Sequence, residues 1–122
     1  MGIVSFESSR IWQASTELAV EVYELVKKLP ANENFAMSSQ IRRAVVSVST
    51  NIAEGFGRTG KKEKLQFYNI AYGSLLETKS LLLLAGKLGF FSQDEIQELV
   101  PSIVSLQKQL NATKASVRSR EA

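Results

Sequence analysis

Apolar residues recur at intervals of three, four and seven along four separate stretches of this chain, and only packed helices bury such a pattern. Ile11, Leu18, Val22, Leu25 and Leu29 make the first stripe, and Ile41, Val45, Val48, Ile52 and Phe56 the second. Leu65, Tyr68, Tyr72, Leu75 and Leu82 make the third, and Ile96, Leu99, Val100, Ile103, Leu106 and Leu110 the fourth. Each stripe lies on one helix face and needs a partner surface. Four such helices with short connections predict an all-α fold, an antiparallel up-down-up-down four-helix bundle forming one domain over residues 1–122.

Local signals set the ends. Ser8 or Ser9 can cap the first helix and Pro30 stops it, while Gly89 suits the end of the third. Ser92 and Glu95 form a capping box, with Phe91 and Ile96 at the two positions of a hydrophobic staple. The helices are expected at about 9–29, 38–56, 61–87 and 93–114, with 115–122 fraying. Pro101 should kink the fourth helix without ending it, because the stripe keeps phase across it. In Val45–Ile52 the alternation of Val46, Val48, Thr50 and Ile52 with small polar residues also suits a strand, but no other segment offers a partner.

With neither cysteine nor histidine among its 122 residues, the chain lacks disulfides, thiolate metal sites and the commonest general base. Glu54, Glu63, Glu77 and the tyrosines are the remaining acid–base candidates, and their spacing brings no set of them together, so no enzyme, metal or cofactor is expected. The longest purely apolar run, Leu81–Ala85, is far too short for a membrane span, and no leader pattern opens the chain, so a cytoplasmic location is expected.

The formal net charge of +3 is mild but unevenly placed. Arg42, Arg43, Arg58, Lys61, Lys62 and Lys64 face only Glu54 and Glu63 in their stretch, and Lys114, Arg118 and Arg120 make a smaller cluster near the C-terminus. Gly55 to Lys61 also spells G-x-x-x-x-G-K, the spacing of a phosphate-cradling loop. Such a loop needs a preceding strand and a Ser or Thr after the lysine, whereas here the preceding element is a helix and Lys62 follows. A turn between helices is the better reading, with Gly55 and Gly57 ending helix 2 and no nucleotide bound.

The basic turn can still serve a phosphate backbone. Arg43, Arg58, Lys61, Lys62 and Lys64 are candidates for contact with RNA or DNA, against the plainer reading of a solvated hairpin tip. In a hairpin turning near 58 or 59, Gln40 stands level with Glu77, which makes Arg42–Glu77 a candidate structural ion pair. The four consecutive leucines 81–84 fan over about 300° of a helix, wider than the stripe of roughly 100° that a bundle buries. Trp12, Val20 and Tyr23 similarly flank the stripe of helix 1. Together with Leu81, Leu83 and Leu84 they are candidates for an interface between copies of the chain.

The strings Q-I-R-R at 40–43, N-I-A-E-G-F-G-R at 51–58 and G-S-L-x-E at 73–77, in this order, carry a resemblance. From about Phe6 to Leu110 the chain resembles the four-helix-bundle proteins encoded in intervening sequences of bacterial 23S rRNA genes, sometimes labelled S23 ribosomal proteins. The resemblance implies a left-handed bundle assembling as a homopentamer without established catalysis. More remotely the fold is similar to the accessory variability protein of diversity-generating retroelements, a basic nucleic-acid-binding pentamer. Two residues depart from the family pattern: Ser49 replaces a frequent proline, and Gly60 replaces a frequent serine, which removes a capping box with Glu63. The combined expectation is a non-enzymatic homo-oligomer whose basic tips bind RNA or DNA. Its alternative is a protein-interaction scaffold that uses the apolar helix faces alone.

Overall fold

A computed structural model describes residues 5–120. Four helices, α1 (Arg10–Val26), α2 (Met37–Gly57), α3 (Lys61–Lys87) and α4 (Gln93–Ser119), account for most of them, with short 3₁₀ turns at Phe6–Ser8 and Ala31–Glu33. Each helix packs on its chain neighbours and α4 closes onto α1, so α1 and α3 occupy diagonal corners. The result is an all-α four-helix bundle. Leu18, Val22, Ile41, Val45, Val48, Ile52, Leu75, Ile103, Leu106 and Leu110 fill the centre at 1% exposure or less. Burying each such aliphatic side chain contributes about 1.5–3 kcal/mol relative to leaving it in water.

Specific caps fix three of the helix ends. Ser9 accepts the N–H of Trp12 to start α1. The Ser92–Glu95 capping box forms in both directions, and Phe91 and Ile96 of the expected staple are both buried. α3 ends in a Schellman motif: Phe90 N–H reaches the Ala85 carbonyl, Gly89 N–H reaches Gly86, and Gly89 adopts φ +87°. α4 runs without a break through Pro101, which sits on its exposed side.

Several ends differ from expectation. α1 stops at Val26, and Lys27–Leu29 tighten into a turn because Pro30 disfavours α-helical geometry in the residue before it. Leu29 stays buried from that turn. The expected frayed tail is helical to Ser119: Val117 is 1% exposed and extends the α4 stripe, while Lys114 lays its ammonium 4.2 Å from the centre of the Tyr72 ring. Residues 121 and 122 of that tail lie outside the described residues.

Gly55 does not end α2. It lies buried inside the helix, where a Cβ would stand 2.8 Å from Tyr68 Cε1, so the missing side chain lets α3 approach closely. About two turns further from the hairpin tip, the Ser47 and Ser74 hydroxyls bond across the same seam at 2.8 Å. This register sets Gly55 beside Tyr68 and Ser47 beside Ser74, which brings Arg42 level with about residue 79. The expected Arg42–Glu77 pair does not form. Among the described residues the ion pairs are Glu24–Lys27, Lys28–Glu95 and Arg58 with Glu54 and Glu63.

Candidate nucleic-acid interface

The up-down topology collects the start of α1, the end of α2, the start of α3 and the end of α4 at one pole of the bundle. Arg10, Arg58, Lys61, Lys62, Lys64, Arg118 and Arg120 therefore gather there, with Glu7, Glu54 and Glu63 as the acidic ones among the described residues. The cluster near the C-terminus and the cluster at 58–64, far apart in sequence, join into one.

The pole's cations differ in what they are free to do. Lys64 donates to the carbonyls of Gly55 and Phe56, each at 3.0 Å, and so caps the C-terminus of α2. Burial, and then the neighbouring Arg120, lower its pKa from the ordinary lysine value. Arg58 bonds Glu54 at 3.0 Å, approaches Glu63 at 4.0 Å and stacks 4.8 Å above the Phe67 ring, so its charge is largely answered within the protein. Lys61 donates to the Arg120 carbonyl at 2.9 Å, tying the start of α3 to the end of α4. Lys62 is exposed and has no hydrogen-bond or ion-pair partner among the described residues. The G-x-x-x-x-G-K string thus spans the end of α2 and a turn of three residues, with no strand before it.

Arg43 is exposed but belongs elsewhere: fifteen residues before Arg58 on α2, it stands about 22 Å from the pole at 1.5 Å per residue. Arg10, Arg118 and Arg120 take its place in the cluster. The signal for the last two was present as the basic end of the chain, but their position beside the turn follows only once the tail is helical.

The apolar candidates also divide. Val20, Tyr23, Leu83 and Leu84 are exposed, and Leu76 and Leu88, which had not been singled out, extend the α3 surface. Leu81 is half-buried against the core and Trp12 meets the Phe6 ring edge-on at 5.0 Å, so both serve packing within one copy. Ser15, two residues beyond Gln13 on α1, is the buried polar residue of that helix, its hydroxyl bonded to the Trp12 carbonyl.

Fold and site together define a class, the antiparallel four-helix bundle with one basic pole. The chain belongs to the 23S rRNA-intervening sequence protein family, whose model matches residues 7–112. It is similar to a crystal structure of a protein of unknown function from the S23 ribosomal protein family of Bacteroides thetaiotaomicron VPI-5482, at 26% identity and a TM-score of 0.78. That match covers 85% of this chain and 97% of the other. No curated protein matches the chain significantly. Among the described residues no helix is long and apolar enough to cross a membrane, and no three of His, Cys, Asp and Glu group as metal ligands.

Proposed function

We propose that the chain is a non-enzymatic, self-associating cytoplasmic bundle whose basic poles hold the phosphate backbone of RNA or DNA. The observation that carries this reading is the meeting, among the described residues, of seven cationic side chains from all four helices or their ends at one pole, against three carboxylates. With Lys64 and Arg58 committed to internal bonds, the outward contacts fall to Lys62, Arg118 and the two ammonium protons that Lys61 keeps beside its bond to the Arg120 carbonyl. Three phosphate contacts per copy bind weakly, and several copies on one polyanion bind far more tightly through effective concentration.

The apolar surface supports the multiplicity. Val20 and Tyr23 on α1 and Leu76, Leu83, Leu84 and Leu88 on α3 sit at diagonal corners. Two different patches on opposite sides suit a head-to-tail contact, which closes into a ring and turns every basic pole to the same side. A ring of five is the size that the family resemblance implies.

The test is a titration of a structured RNA at two salt concentrations against wild type and a Lys61→Ala, Lys62→Ala, Arg118→Ala variant. The variant is expected to bind more weakly, with a salt slope smaller by about 0.9 for each lost contact. Equal affinity and equal slope refute the reading. The rival scaffold reading, favoured by the exposed leucines alone, predicts that equality together with partner capture that survives nuclease treatment.

A further inference from the structure

At the basic pole lies a cavity of about 470 Å³ between the start of α1 and the facing ends of the other three helices. Among the described residues Arg10, Lys64 and Arg120 line it and no carboxylate does. Three cations around one concave space, with no anion between them among the described residues, give it a positive local potential. The same arrangement favours any multiply charged anion that enters.

Hydrogen bonding points the same way. Lys64 has three ammonium protons and gives two of them to the Gly55 and Phe56 carbonyls, which leaves one donor. Tyr68 is 4% exposed, yet its hydroxyl has no hydrogen-bond partner among the described residues. Every fully enclosed side-chain oxygen or nitrogen in those residues is bonded, so the Tyr68 hydroxyl is not enclosed: it opens on this cavity, which its side chain lines. Arg10 and Ile11, which also line the cavity, have backbone N–H groups with no partner among the described residues, at the positive end of a 17-residue helix. Ser9 caps the next amide, Trp12, and so leaves these two uncommitted.

We propose that this cavity is a binding site for a phosphomonoester dianion, held by Arg10, Arg120, the third proton of Lys64, the Tyr68 hydroxyl and the first amides of α1. A tetrahedral dianion matches the donor set: it offers several oxygens to donors converging from α1, α3 and the end of α4, where a carboxylate offers two and half the charge. The phosphate can belong to the end of an RNA strand or to a small phosphorylated ligand, and the cavity is large enough for a nucleoside-sized group behind it. The site is distinct from the backbone contacts assigned to Lys61, Lys62 and Arg118, which do not depend on it.

Calorimetric titration tests this with inorganic phosphate at fixed ionic strength, set against chloride, on wild type, an Arg10→Ala, Arg120→Ala variant and Tyr68→Phe. The first variant changes exposed side chains, and the second keeps the ring that packs on Gly55, so both retain the fold. Saturable one-to-one binding is expected, weakened at least tenfold by loss of the two guanidinium groups and about threefold by loss of the hydroxyl. Binding no different from chloride, or unchanged in both variants, overturns the site. Two dinucleotides of RNA, with and without a 5′-phosphate, identify the source. Tighter binding of the phosphorylated one than of inorganic phosphate assigns the site to RNA ends, and equal binding assigns it to small phosphorylated ligands. A Lys62→Ala, Arg118→Ala protein, which keeps the Lys61 bond to the Arg120 carbonyl, should still bind phosphate while it binds long RNA more weakly, which separates this site from the backbone contacts.

Discussion

Replacing Gly55 by alanine sets two physical effects against each other. In a helix interior the change from glycine to alanine stabilises by about 0.8–1 kcal/mol, because glycine loses more backbone freedom on folding. At Gly55 the new methyl would stand 2.8 Å from Cε1, 3.0 Å from Cδ1 and 3.2 Å from Cζ of Tyr68. That ring is 4% exposed and is not the free end of a flexible side chain, so the seam between α2 and α3 has to open. Overpacking of this kind costs about 1–3 kcal/mol, which leaves Gly55→Ala between about neutral and 2 kcal/mol less stable than wild type. Gly73, in the middle of α3, has nothing within 4 Å of its ideal Cβ, so Gly73→Ala keeps the gain of about 0.8–1 kcal/mol. The difference between the two variants isolates the clash. Urea unfolding at one low protein concentration measures it, with unchanged slopes confirming that midpoints report stability. In a Tyr68→Leu background the penalty at position 55 should shrink. Equal stabilisation by both alanines would refute the close-packed seam.

Three further outcomes follow from the same structure. Ending the chain after Thr113 removes Val117 and the Lys114–Tyr72 contact and should cost about 2 kcal/mol or more in thermal melts, whereas a frayed tail would cost nothing. Ser92→Ala should cost about 1 kcal/mol by loss of the α4 cap. The Glu95 carboxyl beside it is held below the usual carboxylate range, first by its bond from Lys28 and then by the Ser92 N–H. A carboxyl lowered in the folded state gives stability that is present above its unfolded pKa and lost as pH falls through the folded one. Melting temperature should therefore drop on the acid side of the ordinary glutamate range, and Glu95→Gln should flatten that part of the curve. Leu83→Glu with Leu84→Glu should reduce the mass in light scattering to that of one chain while helicity is kept, and an unchanged mass contradicts the α3 interface.

Local chemistry made the helices readable. The end of α3 follows from a glycine that accepts positive φ, and the start of α4 from a serine and a glutamate three residues apart, whereas α3 begins at Gly60 with no side-chain cap. Long-range contacts did not announce themselves. The register of α2 on α3 depends on an absent side chain at Gly55 and a hydroxyl pair between Ser47 and Ser74, and without them Arg42 was matched to the wrong turn. Val117 was hidden among polar neighbours because Lys114, formally charged, covers core surface with its stem and rests its ammonium on an aromatic face. That one misreading concealed the meeting of Arg118 and Arg120 with the turn at 58–64. Lys64 illustrates the converse, a lysine in a basic run whose position at the end of α2 turns it into a cap.

Lysine acetylation footprinting with and without a structured RNA tests the polarity of the molecule most directly, since mass spectrometry reads each amine separately. Lys61 and Lys62 at the basic pole should be protected, while Lys27, Lys28 and Lys87 at the opposite pole should react as before. Protection spread evenly over both poles, or confined to the far one, contradicts the assignment of the polyanion to the basic end.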